Sequence, residues 1–240
     1  MTAAKTLFVV MDGIPADVIE RVATPHLDQI TASGGFGRAY VGGEIGGASE
    51  SPTISAVGYQ SLLTGTWANK HQVFNNDAAS PDYDYWDIFR MAKAHDPSLS
   101  TALFSTWEDN RTKLIGDGLA AAGGHKLDYY LDGLEHDTQR FPNQKAAANI
   151  KAIDVYIAEQ AADYLLTVGP DLSWVYFQYT DDVGHQAGDS AALDDSVRFT
   201  DALVGQLWAA ITHRQNTFDE DWLVIVTTDH GRDAINGKGH

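Results

Sequence analysis

Short apolar runs alternate with amphipathic stretches along this chain, and the alternation predicts strands separated by helices. Thr6–Met11 (TLFVVM) is almost wholly apolar and ends at Asp12-Gly13, the pattern of a strand buried on both faces. Similar runs predict strands over Thr101–Ser105, Trp174–Tyr179 and Trp222–Thr228. Weaker ones predict strands over Phe36–Val41 and Lys126–Leu131. Between them the apolar positions fall at helical spacing. Ala16–Ser33 reads as helical, with Thr24-Pro25 as a cap and first-turn pair inside it. Ala56–Leu63 and Tyr85–His95 also read as helices. Gln144–Val168 is a long amphipathic helix with Ile150, Ile153, Ile157, Ala161 and Leu165 on one side. Ala191–Arg214 is a second, carrying Phe199, Leu203 and Leu207 on one face. Asn75–Asp84 and Gly116–Gly124 are polar or glycine-rich and are the expected loops.

Strands separated by long helices predict an α/β fold, a mostly parallel central sheet with helices on both faces. Residues 1–240 are expected to form a single domain, with a small cap or insert region at about 75–145. At 240 residues and 44% hydrophobic content, the chain can bury one full core. No run approaches the roughly 18 apolar residues of a membrane span. The net charge of −17 repels nucleic-acid backbones and anionic membranes, so no duplex or membrane partner is expected. The same acidity also serves solubility. With no cysteine, disulfide frameworks and thiolate metal sites are excluded. KTLFVVMDGI is too short for a secretory leader and reads better as a strand. A periplasmic or secreted origin with the leader removed stays open, and neither compartment nor oligomeric state is assigned.

Chemistry gathers behind the strands. Asp12-Gly13 follows the first, DDVGH (Asp181–His185) follows another, and DHG (Asp229–Gly231) the last. Ligand sites of parallel α/β sheets lie beyond the carboxyl ends of the strands. One aspartate after a strand is commonly a cap or turn residue; three together, two with histidine, point to a shared site. Carboxylate and imidazole donors suit Zn²⁺ or Mn²⁺. Asp12, Asp181, His185, Asp229 and His230 exceed what one open catalytic zinc needs, so two metal ions are expected, as in phosphoryl transfer. Such a site calls for a nucleophile, and ESPTISAVGYQSLLTG supplies hydroxyls at Ser51, Thr53, Ser55 and Ser61. A helix beginning near Ala56 puts Ser55 at its N-terminus, where backbone N–H groups favour a bound phosphate.

The ordered set VVMDG, TPHLDQI, PTISAVGYQSLLTG, NKHQV, YTDDVGH and TTDHGR…GKGH spans residues 8 to 240. It resembles the alkaline phosphatase superfamily, and within it the type I phosphodiesterase/nucleotide pyrophosphatase-like branch. The resemblance implies that Ser55 is the nucleophile, nine residues before Thr64 of the TG pair, with Thr53 the second candidate. Thr53 and Ser51 otherwise serve the turn before the helix. It implies one metal on Asp181, His185 and His240, and another on Asp12, Asp229, His230 and the Ser55 hydroxyl. Two divalent ions, Zn²⁺ first and Mn²⁺ second, would then act on a small-molecule phosphate ester through a phosphoseryl intermediate. Relatives of this kind continue past the position of His240, so a domain truncated at its C-terminus is expected. Two positions depart from the pattern: Gly58 stands where the pyrophosphatases are expected to carry a phosphate-contacting asparagine, and Tyr59 where sulfatases carry arginine. A phosphomonoesterase or sulfatase-like hydrolase, a metal-dependent mutase, and a catalytically silent metal-binding homologue remain as alternatives. Among the other polar and aromatic residues, His71 is expected to order its turn, Lys238 to be a solvated loop lysine, and Tyr83, Tyr85, Trp86 and Trp107 to be packing residues.

Overall fold

Thr6–Met11 lies within a longer strand, β1 (Ala3–Met11), whose alternate side chains enter two separate cores. Leu7, Val9 and Met11 join one core, and Phe8 and Val10 the other. This is what a central strand covered on both faces requires. The structure is a computed structural model and describes residues 2–142 and 147–240. Its sheet has five parallel strands in the order β3-β2-β4-β1-β5, with β2 Thr101–Ser105, β3 Tyr129–Leu131, β4 Leu172–Phe177 and β5 Glu220–Thr227.

One face is covered by α1 (Ala16–Arg21), α2 (Pro25–Ser33), α6 (Ala147–Thr167), α7 (Tyr179–Ala187) and α8 (Ala191–Thr217). The other is covered by α3 (Ser55–Thr64), α4 (Ala68–His71) and α5 (Ile88–His95). Met11 pairs with Phe177 and Val10 with Thr227. The residues that follow β1, β4 and β5 therefore leave the sheet side by side, and this register sets up the site. No helix among the described residues is long and apolar enough to cross a membrane.

Five elements differ from expectation, each for a physical reason. Ala16–Ser33 is two helices, because Pro25 lacks an N–H and takes the first position of α2. Phe36–Val41 forms no strand: it pairs with no strand among the described residues, and Phe36 and Tyr40 are exposed. The strand expected over Lys126–Leu131 shrinks to β3, while Lys126 turns inward and donates to the carbonyls of Ile115 and Ala122, both at 2.7 Å. The strand expected over Trp174–Tyr179 ends at Phe177, because the buried carboxylate of Asp154 accepts the N–H groups of Gln178 (3.3 Å) and Tyr179 (2.8 Å) and starts α7 there. The shortening of Tyr85–His95 has a similar cause, since the Asp87 side chain accepts from Phe89 and Arg90 and fixes the start of α5. The expected start of the long helix at Gln144 lies outside the described residues.

Candidate metal centre

Asp12, the first residue past β1, turns its two oxygens to different partners. Oδ2 accepts hydrogen bonds from the buried hydroxyls of Tyr59 and Tyr176, the latter at 2.7 Å. Oδ1 has no hydrogen-bond partner among the described residues. Asp229, past β5, is arranged alike: Oδ1 accepts the Gly13 N–H at 3.1 Å, and Oδ2 is unpartnered among the described residues. His230 sets its ring through Nδ1, 2.8 Å from the Gly231 carbonyl, so Nδ1 carries a proton and Nε2 faces the cluster. Around that Nε2 stand Asp12 Oδ1, Asp229 Oδ2 and Ser55 Oγ, each at 3.3 Å.

This donor set fits a divalent cation. Ligand bonds of about 2.1 Å in a tetrahedral arrangement place donor atoms roughly 3.4 Å apart. Two fully buried carboxylate oxygens without donors are costly to keep unless a cation or proton satisfies them.

A second group stands beside the first. Asp181 and His185 lie four residues apart on α7, hence on one helix face, with Asp181 Oδ2 3.3 Å from His185 Nε2. His185 Nδ1 is 2.7 Å from the Lys238 carbonyl, which leaves Nε2 for the cluster. The His240 ring packs edge-on between His185 and His230, at centroid distances of 4.8 and 4.2 Å. Donor atoms of Asp181, His185 and His240 lie within 4.8 Å of one another, as do those of Asp12, Asp181 and His230. The inner group is buried, whereas His185 and His240 are exposed. The structure thus brings together Asp12, Ser55, Asp181, His185, Asp229, His230 and His240, in a cluster with a dry inner end and a wet outer end.

Charge in the cluster is unbalanced without a cation. Burial, together with the neighbouring Asp12 charge, pushes the Asp229 carboxyl well above the usual carboxylate range. Burial works in the same direction on Asp12, but His230, with the smaller contributions of Asp229 and Tyr59, outweighs it and holds Asp12 below its ordinary value. Burial alone would lower the His230 imidazole; the Asp229 and Asp12 carboxylates outweigh it and hold the ring up to about 9. His240 goes the other way, down to about 4, through burial and the nearby His230. A hydrogen bond to Asp181 raises His185. In the metal-free chain the His230 proton is therefore the countercharge of the inner carboxylates.

The sequence model of the type I phosphodiesterase/nucleotide pyrophosphatase family matches residues 6–240. The chain belongs to this family. Its structural neighbours agree on the fold. An inactive variant of murine ectonucleotide pyrophosphatase/phosphodiesterase 5, in complex with AMP, aligns at 18% identity with a TM-score of 0.55, covering 95% of this chain and 57% of that one. Phosphonoacetate hydrolase from Sinorhizobium meliloti, in complex with phosphonoformate, aligns at 16% identity and TM-score 0.59, covering 97% and 58%. A variant of the alkaline phosphatase from the Antarctic bacterium TAB5, with Mg bound, aligns at 15% identity and TM-score 0.54, covering 96% and 78%. Such identities establish a shared fold alone. The chain spans a little over half the length of the first two. Among curated proteins, none matches its sequence.

Within this phosphodiesterase-family chain, the structure also places the residues that sequence reasoning set aside or misjudged. Ser51 serves the turn, donating to the Ser49 carbonyl at 2.9 Å and accepting the Ala68 N–H at 3.0 Å. Thr53 lines a cavity of about 270 Å³ beside Tyr40, Leu62 and Trp67, and Asp229 of the cluster lines the same cavity. His71 orders its turn, with Nδ1 accepting the Val73 N–H and Nε2 3.0 Å from Ser61 Oγ. Gly58 has a packing reason. A Cβ there would lie 2.6 Å from the Asp229 carbonyl oxygen and 2.8 Å from its Cβ, so only glycine lets α3 press against the ligand loop. Tyr59, which marked the departure from sulfatases, is one of the two hydroxyls orienting Asp12. Asn76 was missed: its Oδ1 accepts the Ala56 N–H at 3.0 Å, which puts an amide next to Ser55. In sequence it is one polar residue of a turn-rich loop and carries no distinguishing signal.

Proposed function

We propose that this chain hydrolyses phosphoric esters, phosphodiesters foremost, with Ser55 as nucleophile at a two-ion centre. Three donor atoms carry the proposal: Ser55 Oγ, Asp12 Oδ1 and Asp229 Oδ2, each 3.3 Å from Nε2 of His230 at the carboxyl edge of the sheet. Asp12, Asp229, His230 and Ser55 are assigned to one ion, and Asp181, His185 and His240 to the other. Zinc suits these nitrogen and oxygen donors best, with manganese second. When bound, the ions supply positive charge for the phosphoryl oxygens and lower the pKa of coordinated hydroxyls.

The chain's own groups do the rest. Ser55 is the first residue of α3, preceded by Ile54, which gives the helix no side-chain cap. The helix dipole and the first-turn N–H groups that Asn76 leaves free are therefore available to the incoming phosphate. Asn76 holds the Ala56 N–H and brings its amide to the same place. The Ser55 oxygen forms a bond to phosphorus as the bond to the leaving oxygen breaks and that oxygen takes up a proton. Water then cleaves the phosphoseryl ester and restores the hydroxyl. The AMP bound by one structural neighbour and the phosphonoformate bound by another support a small phosphorus-bearing anion as substrate.

Parallel rate measurements on bis(p-nitrophenyl) phosphate, p-nitrophenyl phosphate and p-nitrophenyl sulfate test the substrate class. The diester is expected to have the largest kcat/KM, by about tenfold or more. A faster monoester or sulfate moves the chain to the corresponding hydrolase class. Metal uptake without turnover of any of the three identifies a silent homologue.

A further inference from the structure

We propose that Arg232 is the positioning residue that divides the ligand groups: its guanidinium takes one oxygen of Asp181 and commits the other to His185 and His240. This inference rests on the two-ion reading above and adds a residue to it. Asp181 is placed to join either group. Its Oδ1 lies 3.7 Å from His230 Nε2, and its Oδ2 lies 3.3 Å from His185 Nε2. Arg232 resolves the ambiguity. Nη2 donates to Asp181 Oδ1 and, at 2.8 Å, to the Asp181 carbonyl, while Nε donates to the Gly13 carbonyl at 3.1 Å. One side chain thereby ties together the segments that follow β1, β4 and β5.

The slot around the guanidinium is built for it. A Cβ on Gly184 would lie 2.4 Å from Arg232 Cζ, and one on Gly13 would lie 2.5 Å from Nη2. Gly13 follows the ligand Asp12 and Gly184 precedes the ligand His185. Gly13 also has a φ of +67°, but Gly184 sits inside α7, where glycine weakens a helix and no backbone reason requires it. Space for Arg232 is the reason for that glycine. The Arg232 side chain is 2% exposed, and its Nη1 is a buried donor with no partner among the described residues. A buried unpaired donor costs stability, so fold stability alone does not explain the residue.

Zinc titration calorimetry of the full chain, with Co²⁺ absorption spectra as a second readout, tests the assignment. The unmodified chain is expected to bind two equivalents. Arg232→Met should weaken one of them about tenfold or more and change the Co²⁺ spectrum, while the other equivalent keeps its affinity. Gly184→Ala should do the same by pushing the guanidinium out of its slot, although alanine favours the helix. Unchanged affinities and spectra in Arg232→Met, with two equivalents bound by the unmodified chain, overturn the role of Arg232 alone. Failure of the unmodified chain to bind two equivalents overturns the two-ion reading and this inference with it. If Arg232→Met does not fold, Gly184→Ala decides by the same outcomes.

Discussion

Ser55→Ala is expected to lower phosphodiester turnover by about 10⁴-fold or more, the scale on which loss of a nucleophile acts, while zinc uptake stays within about tenfold. The variant isolates chemistry from folding. Ser55 is the first residue of α3 and not its cap, so alanine leaves the helix start intact. Among the described residues its hydroxyl has one hydrogen-bond partner, His230 Nε2 at 3.3 Å. The inner ion would keep Asp12, Asp229 and His230 and lose one weak ligand. Thr53→Ala is the matched control. Thr53 lies along the cavity beside Trp67, and its loss should leave kcat within about threefold. Normal turnover in Ser55→Ala together with loss in Thr53→Ala would transfer the nucleophile to Thr53.

Removing divalent ions is expected to have an effect of similar size, and its pH dependence carries a specific sign. For Nε2 of His230 to bind a cation, the ring must be neutral. In the metal-free chain the Asp229 and Asp12 carboxylates overcome burial and hold this ring up to about 9. Below that value binding of the ion held by His230 displaces the ring proton, so the apparent affinity for that ion should rise about tenfold per pH unit between about pH 6 and 8 and level off above about 9. Calorimetry in buffers of different ionisation enthalpy measures that proton directly. A pH-independent affinity over this range would contradict the assignment of His230 as a ligand. Stability follows the same logic. The raised His230 stabilises the metal-free fold fully below its unperturbed value of 6.5, and that contribution is lost as pH rises through about 9. The metal-free chain should therefore melt lower at the alkaline end, and bound metal should remove the difference.

The strands that carry the site are legible in the sequence as apolar runs. β1 and β4 are central and buried on both faces, which leaves them no polar alternation to confuse, whereas β5 lies at the edge of the sheet and is apolar although Leu223 and Ile225 are exposed. Phe36–Val41 shows the limit of local pattern. Its alternation suits a half-buried strand, but strand formation needs a neighbour, and the segment has none among the described residues, with Tyr40 stacking on Trp67 instead. The start of α7 was equally hidden, because its cap is Asp154, more than twenty residues upstream.

The ligand candidates were legible for a related reason. Each carboxylate or histidine of DG, DDVGH and DHG follows a strand, and parallel strands deliver their ends to one edge. The residues that orient those ligands were not. Tyr59 and Tyr176 meet at Asp12 from an α3 helix and a β4 strand, and nothing in either local sequence marks the encounter. Gly58 is the clearest case. Compared with relatives, it reads as a lost phosphate contact; in the fold it is the contact surface between α3 and the Asp229 backbone, and Asn76 brings an amide to the neighbouring turn. Arg232 stood in plain view in the TTDHGR motif, but its function depends on room left by Gly13 and Gly184, far apart in sequence.

Anomalous scattering from crystals grown with zinc, and again with manganese, tests the two-ion centre most directly. Two anomalous peaks are expected, one in contact with Asp12, Asp229, His230 and Ser55 Oγ, the other with Asp181, His185 and His240. A single peak bridging the groups, or none within reach of Ser55, would contradict it.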